Sequence, residues 1–210
     1  MNRRRLATVI AAALVIGAPA SATAADATAS GPAAQARPDV VRGTFTQRKY
    51  LAELGQPLVS SGRFVVAADH GLLWQIEQPV QAQLVITENH LVQRSDGHEI
   101  ARIDADQQPT LRVVAALLLA VFRADMAQLR QYFDIQKHSR DSGHWTMTLR
   151  PIAAAVGEFI DRVRIQGQGA AQIERIEIDQ PGGDRSVIEL HTASAGAATL
   201  GAQEKARFRR

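Results

Sequence analysis

The chain has no cysteine among its 210 residues. No disulfide can brace the fold, and no thiol can act as nucleophile or redox centre. With no cysteine to acylate, the protein is not itself a lipoprotein. Aromatic residues make up only 5%, so the core must be mainly aliphatic, and a chain of this length can supply one. No apolar run reaches the ~20 residues that a membrane-spanning helix needs. The six histidines form no metal-ligand pattern. His98-Glu99 has no second histidine to complete a helical pair, and His70, His90, His138, His144 and His191 are scattered. No metal and no cofactor is expected. Ser60-Ser61-Gly62 lacks the glycine-flanked elbow of a serine hydrolase, and Asp104 and Asp106 read as a solvated turn. The residues show no catalytic constellation.

Excess positive charge is also missing once the ends are set aside. The chain holds 24 Lys and Arg against 21 Asp and Glu. Arg3, Arg4 and Arg5 lie in residues 1–25, which contain no acid, and Lys205, Arg207, Arg209 and Arg210 face Glu204 alone at the other end. The body between is slightly acidic, so nucleic acid is not an expected partner.

What is present begins with a secretory pattern over residues 1–25. A basic n-region precedes the apolar stretch Leu6 to Ala18, and Ala22-Thr23-Ala24 offers an A-x-A cleavage site near Ala24 or Ala25. Export to the periplasm is the expectation. Residues 26–39, rich in Ala, Ser, Gly and Pro, read as a flexible leader. From Val40 the pattern becomes short strands broken by turn residues. Arg42 to Tyr50, Gly62 to Ala67, Leu72 to Ile76, Gln83 to Thr87, Leu91 to Arg94 and Glu99 to Ile103 form a first series, with Asp96-Gly97 as a turn. Leu111 to Phe122 is then almost wholly apolar at helical spacing, which requires burial on most sides. It suits either a lid or the plug of a closed barrel. Met126, Leu129, Tyr132 and Phe133 continue as a helical turn. Strands resume at His144 to Arg150, with Trp145, Met147 and Leu149 on one face, and at Asp161 to Gln166. Gly167-Gln168-Gly169 reads as the next turn. Gln172 to Asp179 and Arg185 to Thr192 follow, separated by the turn Pro181-Gly182-Gly183-Asp184. Residues 40–192 thus make the main domain, and 193–210 a linker, short helix and tail of the same domain.

The order Phe45-Thr46-Gln47, Pro57 to Phe64, Gly71 to Trp74 and Pro79, behind a secretory signal, resembles the outer-membrane lipoprotein carrier family (LolA-like). Trp145 with Leu149 and Pro151, and the Gly183-Asp184 hairpin, add to it. The resemblance implies a mainly β fold: a highly curved antiparallel sheet, or incomplete barrel, with a helical lid over an apolar cavity. It implies a periplasmic carrier or chaperone, not an enzyme. Such a protein sequesters the acyl or other hydrophobic moiety of a lipoprotein or lipid and hands it towards the outer membrane. The implied partners are an inner-membrane transporter as donor and an outer-membrane acceptor, with the carrier a monomer. The cavity would be lined by Phe45, Phe64, Val66, Trp74 and Ile76, by Leu84 and Ile86, and by Trp145, Met147 and Leu149. Leu118 and Phe122 would contribute from the lid. Classical members carry an arginine just before the Trp strand, whereas Val66 to Gly71 holds none here. That departure marks a divergent member and favours another acyl or polyene lipid as cargo. A small periplasmic hydrolase, using Asp or His residues gathered by the fold, and a closed-core scaffold module stay open as alternatives.

The export reading predicts a mature N-terminus at Ala25 or Asp26. Intact-mass measurement of the periplasmic fraction checks it, and a mass that retains Arg3 to Arg5 refutes it.

Overall fold

The structure is a computed structural model that describes residues 39–104, 120, 126–139, 143–169, 172–193 and 199–208. The expected signal segment, the leader and most of the apolar run Leu111 to Phe122, including Leu118 and Phe122, lie outside these residues.

One antiparallel sheet organises the chain. A first meander contains β1 (Val40–Tyr50), β2 (Leu58–Ala67), β3 (Gly71–Gln78), β4 (Ala82–Ile86), β5 (His90–Ser95) and β6 (His98–Asp104). After α1 (Met126–Arg130), a second contains β7 (Phe133–Ser139), β8 (His144–Pro151), β9 (Arg162–Gln168), β10 (Gln172–Asp179) and β11 (Arg185–Thr192), with α2 (Ala154–Gly157) between β8 and β9. The 11 strands lie in the order β6-β5-β4-β3-β2-β1-β11-β10-β9-β8-β7. The meanders are thus joined by β1 against β11, with Phe45 opposite Leu190. β6 and β7 form the two edges, and the sheet does not close into a barrel.

Two expectations differ from the structure. Phe133, read as helical, opens β7; only Met126–Arg130 is helix, and Tyr132 N–H donates to the Leu129 carbonyl as the turn ends. Gly167, read as part of a turn, sits inside β9 opposite Trp145, and the turn begins at Gly169. The short helix α2 had no counterpart in the sequence reading.

Strand alternation gives the sheet two unlike faces. The inner face carries one apolar cluster that reaches from Leu91 on β5 across the sheet to Met147 and Leu149 on β8. β6 and β7, consecutive among the described strands, stand at opposite edges of the sheet, and the connection between them is described only in part. Its described parts pack into the same cluster: Ala120, which is helical, and Leu129 on α1 are both fully buried.

The outer face divides in two. Over β9, β10, β11 and β1 it is a ladder of charges: Arg164 with Glu177, Arg175 with Glu177 and Glu189, and Arg48 with Glu189. Exposed pairs of this kind contribute little each; they keep that face in water. Over β2 to β5 it is apolar instead, and the chain end covers it. Leu200 and Phe208 pack on Val65, Ala67, Leu73, Val85 and Val92. The covering helix α3 (Ala202–Phe208) is held by Arg42, whose Nε and Nη2 donate to Glu204 at 2.8 and 2.7 Å. Glu204 also accepts the Gly201 N–H at 2.7 Å, the reach-back of a capping box that satisfies a free amide at the helix start.

The Arg42 hydrogen bond holds the Glu204 carboxyl below the usual carboxylate range, and the Gly201 amide helps while burial opposes. A carboxylate with a depressed folded pKa adds stability at neutral pH that is lost as pH falls through that lower value. Glu204→Gln should cost about 1 kcal/mol at neutral pH. The difference from the parent should shrink in denaturant titrations as pH falls below the ordinary carboxylate range and through the lowered folded value. A gap that persists in acid would assign the effect to something other than the ion pair.

Candidate functional site

The inner face of β1 to β3 is built on one aromatic group. Leu72, Trp74 and Ile76 alternate inward on β3. Phe64 is paired directly with Trp74 across β2 and β3, their rings 6.0 Å apart. Phe45 lies one strand further away on β1, yet its ring stacks on Trp74 at 3.7 Å with the planes 24° apart. Phe45 can reach across β2 because its neighbour there is Gly62. A Cβ at Gly62 would overlap the Gln75 carbonyl, where the β2–β3 register shifts. The same device recurs. A Cβ at Gly43 would come within 2.7 Å of the Phe64 ring, and one at Gly167 would collide with Trp145. Missing side chains on the inner face let rings lie flat and let the sheet curl towards them.

The structure brings together ten of the twelve residues expected to line a cavity. Phe45, Phe64, Val66, Trp74, Leu84, Ile86, Met147 and Leu149 are buried in the inner cluster, and Ile76 and Trp145 pack against it half-buried. Leu118 and Phe122 lie outside the described residues. The sequence reading did not single out Leu91, Ile165, Ile176, Ile188 and Leu190 as lining, although they share the same face; the period-two alternation of their strands carried the signal.

Polar groups on this face are few. Gln47 and Ser186 are buried towards the Tyr50 end of β1, and Ser186 is paired with Lys49. Burial pushes the Lys49 ammonium below its ordinary pKa, partly offset by Asp184. The Ser186 Oγ has no hydrogen-bond partner among the described residues. No three described His, Asp or Glu side chains are placed to share a metal ion. A cavity of about 250 Å³ opens beyond the ends of β3 to β5, lined by Gln75, Glu77, Gln83 and Arg94 among others. Its lining mixes these polar groups with Ala82 and with Ile76, which also packs against the apolar cluster. Among the described residues, the inner face is a surface that can bury apolar matter.

Comparison with known proteins follows this geometry. The sequence profile of the outer membrane lipoprotein carrier protein LolA matches residues 38–200. No curated protein matches the chain. Among solved structures it is similar to the LolA superfamily protein NE2245 from Nitrosomonas europaea, at 12% identity and a TM-score of 0.43, over 79% of this chain and 89% of that one. It is similar to a chain of the MucA/MucB complex of Pseudomonas aeruginosa, at 15% identity and 0.38, over 79% of this chain but only 57% of the other. LprF from Mycobacterium bovis gives 12% identity and 0.32, over 77% and 89%. With its profile match spanning most of the sequence and its strands in one open antiparallel sheet, the chain belongs to the outer membrane lipoprotein carrier (LolA) family.

Proposed function

We propose that this protein is an exported, monomeric carrier that shelters the acyl chain or other hydrophobic moiety of a lipoprotein or lipid against the inner face of its sheet. It receives that cargo from an inner-membrane transporter and yields it to an acceptor at the outer membrane. The observation that carries the reading is the contrast between faces: a continuous apolar inner cluster under an outer surface that is charged or already covered. Each methylene moved out of water onto such a face releases roughly 0.8 kcal/mol, so an acyl chain needs no specific contact to be held. No helix among the described residues is long and apolar enough to cross a membrane, which fits a carrier that travels between membranes. Ile76 and Trp145, half-buried beside the cluster, would line the approach.

Native mass spectrometry of the purified protein, with extraction of co-purified lipid, tests this. The expected result is a bound acyl lipid that delipidation removes and an apolar fluorescent probe replaces. Turnover of an ester panel would favour the hydrolase, and absence of both lipid and probe binding would favour a closed core. Ile76→Glu should weaken probe binding by about tenfold or more, since a carboxylate must be desolvated to meet the chain. Its far-ultraviolet circular dichroism should remain β-rich. Ile165→Glu, at a fully buried position, should instead lose about 4 kcal/mol or more of stability. Equal, global destabilisation by both would place Ile76 in an ordinary core.

A further inference from the structure

The two tryptophans of the inner face differ in one respect. Trp145 Nε1 donates a hydrogen bond to the Gly169 carbonyl at 3.1 Å. Trp74 is 6% exposed, its Nε1 is buried, and it has no acceptor among the described residues. An indole N–H can only donate, and a buried one ordinarily finds a partner because leaving it unpaired carries its whole desolvation penalty. Phe45 and Phe64, the rings that fix Trp74, offer no acceptor of their own. Trp74 also shares a cross-strand row with Leu84 and Gln93, and the Gln93 Oε1 is likewise buried without a partner. At this one level the apolar face therefore holds a buried donor and a buried amide oxygen, neither with a hydrogen-bond partner among the described residues.

A hydrocarbon or a polyene has nothing to offer the donor. An acyl chain does, because it is attached through an ester or amide whose carbonyl oxygen is a strong acceptor. We infer that the Trp74 indole N–H is the hydrogen-bond donor to the carbonyl oxygen of an ester- or amide-linked acyl chain. The inference rests on the carrier reading and sharpens it: the cargo is an acyl lipid rather than a plain hydrocarbon or polyene, and the carbonyl is held at the Trp74 row. Its tail then extends over the inner cluster.

The test uses two ligands that differ at this linkage, 1-monopalmitoylglycerol and its ether counterpart 1-O-hexadecylglycerol, with the delipidated mature protein. The parent should bind the ester about tenfold more tightly than the ether, as one hydrogen bond to a buried donor allows. Trp74→Phe keeps an aromatic ring at this position and should bind ester and ether alike, whatever the change in its overall affinity. In the parent, the Trp74 indole N–H proton resonance, told from that of Trp145 by comparison with Trp145→Phe, should move downfield with the ester alone. That readout needs no change at Trp74. Equal affinity of the parent for ester and ether, or an equal-fold loss of both in Trp74→Phe, would overturn the inference while sparing the carrier reading. Binding of neither ligand would overturn both. With the preference established, a synthetic dipalmitoylglyceryl-cysteine peptide compared with 1,2-dipalmitoylglycerol, equal in acyl content, separates the sources of the carbonyl: tighter binding of the peptide assigns it to a lipoprotein, weaker binding to a free glycerolipid.

Discussion

The stack of Phe45 on Trp74 across Gly62 is the contact on which the rest of the inner face depends. Neighbouring strands are about 4.8 Å apart, so a ring on β1 meets one on β3 only where β2 contributes no side chain between them. Gly62 supplies that gap, and the register shift beside it on β2 and β3 bends the strand at the same place. An aromatic pair of this geometry is worth about 1 kcal/mol beyond its burial. Its larger effect is geometric. It ties three strands into one patch, fixes the orientation of the indole, and turns β1 to β3 towards the open side where Ala120 and Leu129 sit.

The outer face shows the complementary constraint. A sheet with apolar residues on both sides must be covered twice, and β2 to β5 carry Val65, Leu73, Val85 and Val92 outward as well as Phe64, Trp74 and Ile86 inward. The last residues of the chain supply the second cover through Leu200 and Phe208. The Arg42 and Glu204 pair lies at its margin. Because Arg42 is on β1 beside the aromatic patch, the strand that shapes the inner face also anchors the outer cover. Elsewhere the outer surface alternates Arg and Glu across strands, which leaves water on that side and apolar matter on the other.

Much of this was legible in the sequence wherever side chains alternate strongly. Trp145, Met147 and Leu149, or Leu72, Trp74 and Ile76, announce both a strand and its buried face. The turns at Asp96-Gly97 and Pro181 to Asp184 were readable because both demand unusual backbone angles, with positive φ at Asp96, Gly97, Gly182 and Gly183. Phe133 was misread because Met126, Leu129, Tyr132 and Phe133 satisfy helical spacing. β7 is an edge strand with Ile135 as its only aliphatic residue, too weak a pattern to compete. Gly167 was misread because a glycine in a strand and one in a turn look alike until the ring above it is known. The residues expected to line a cavity were legible as one apolar face of the sheet. Nothing in a linear sequence says that Phe45 and Trp74 touch, or that one tryptophan's N–H is satisfied while the other's has no acceptor among the described residues.

The pairing of β1 with β11 has a consequence for how the protein is made. The first and last strands meet at the middle of the sheet, so each hairpin meander can form early but the halves cannot be sutured until the final strand has arrived. Contacts so distant along the chain are slow to form, because the loop they close must be ordered first. In a globular protein of the cytosol such a delay is a liability. For any polypeptide threaded through a translocation channel such a delay is an advantage, since the β1–β11 seam and the cover from Leu200 and Phe208 cannot lock before the last strand has been delivered to the far side.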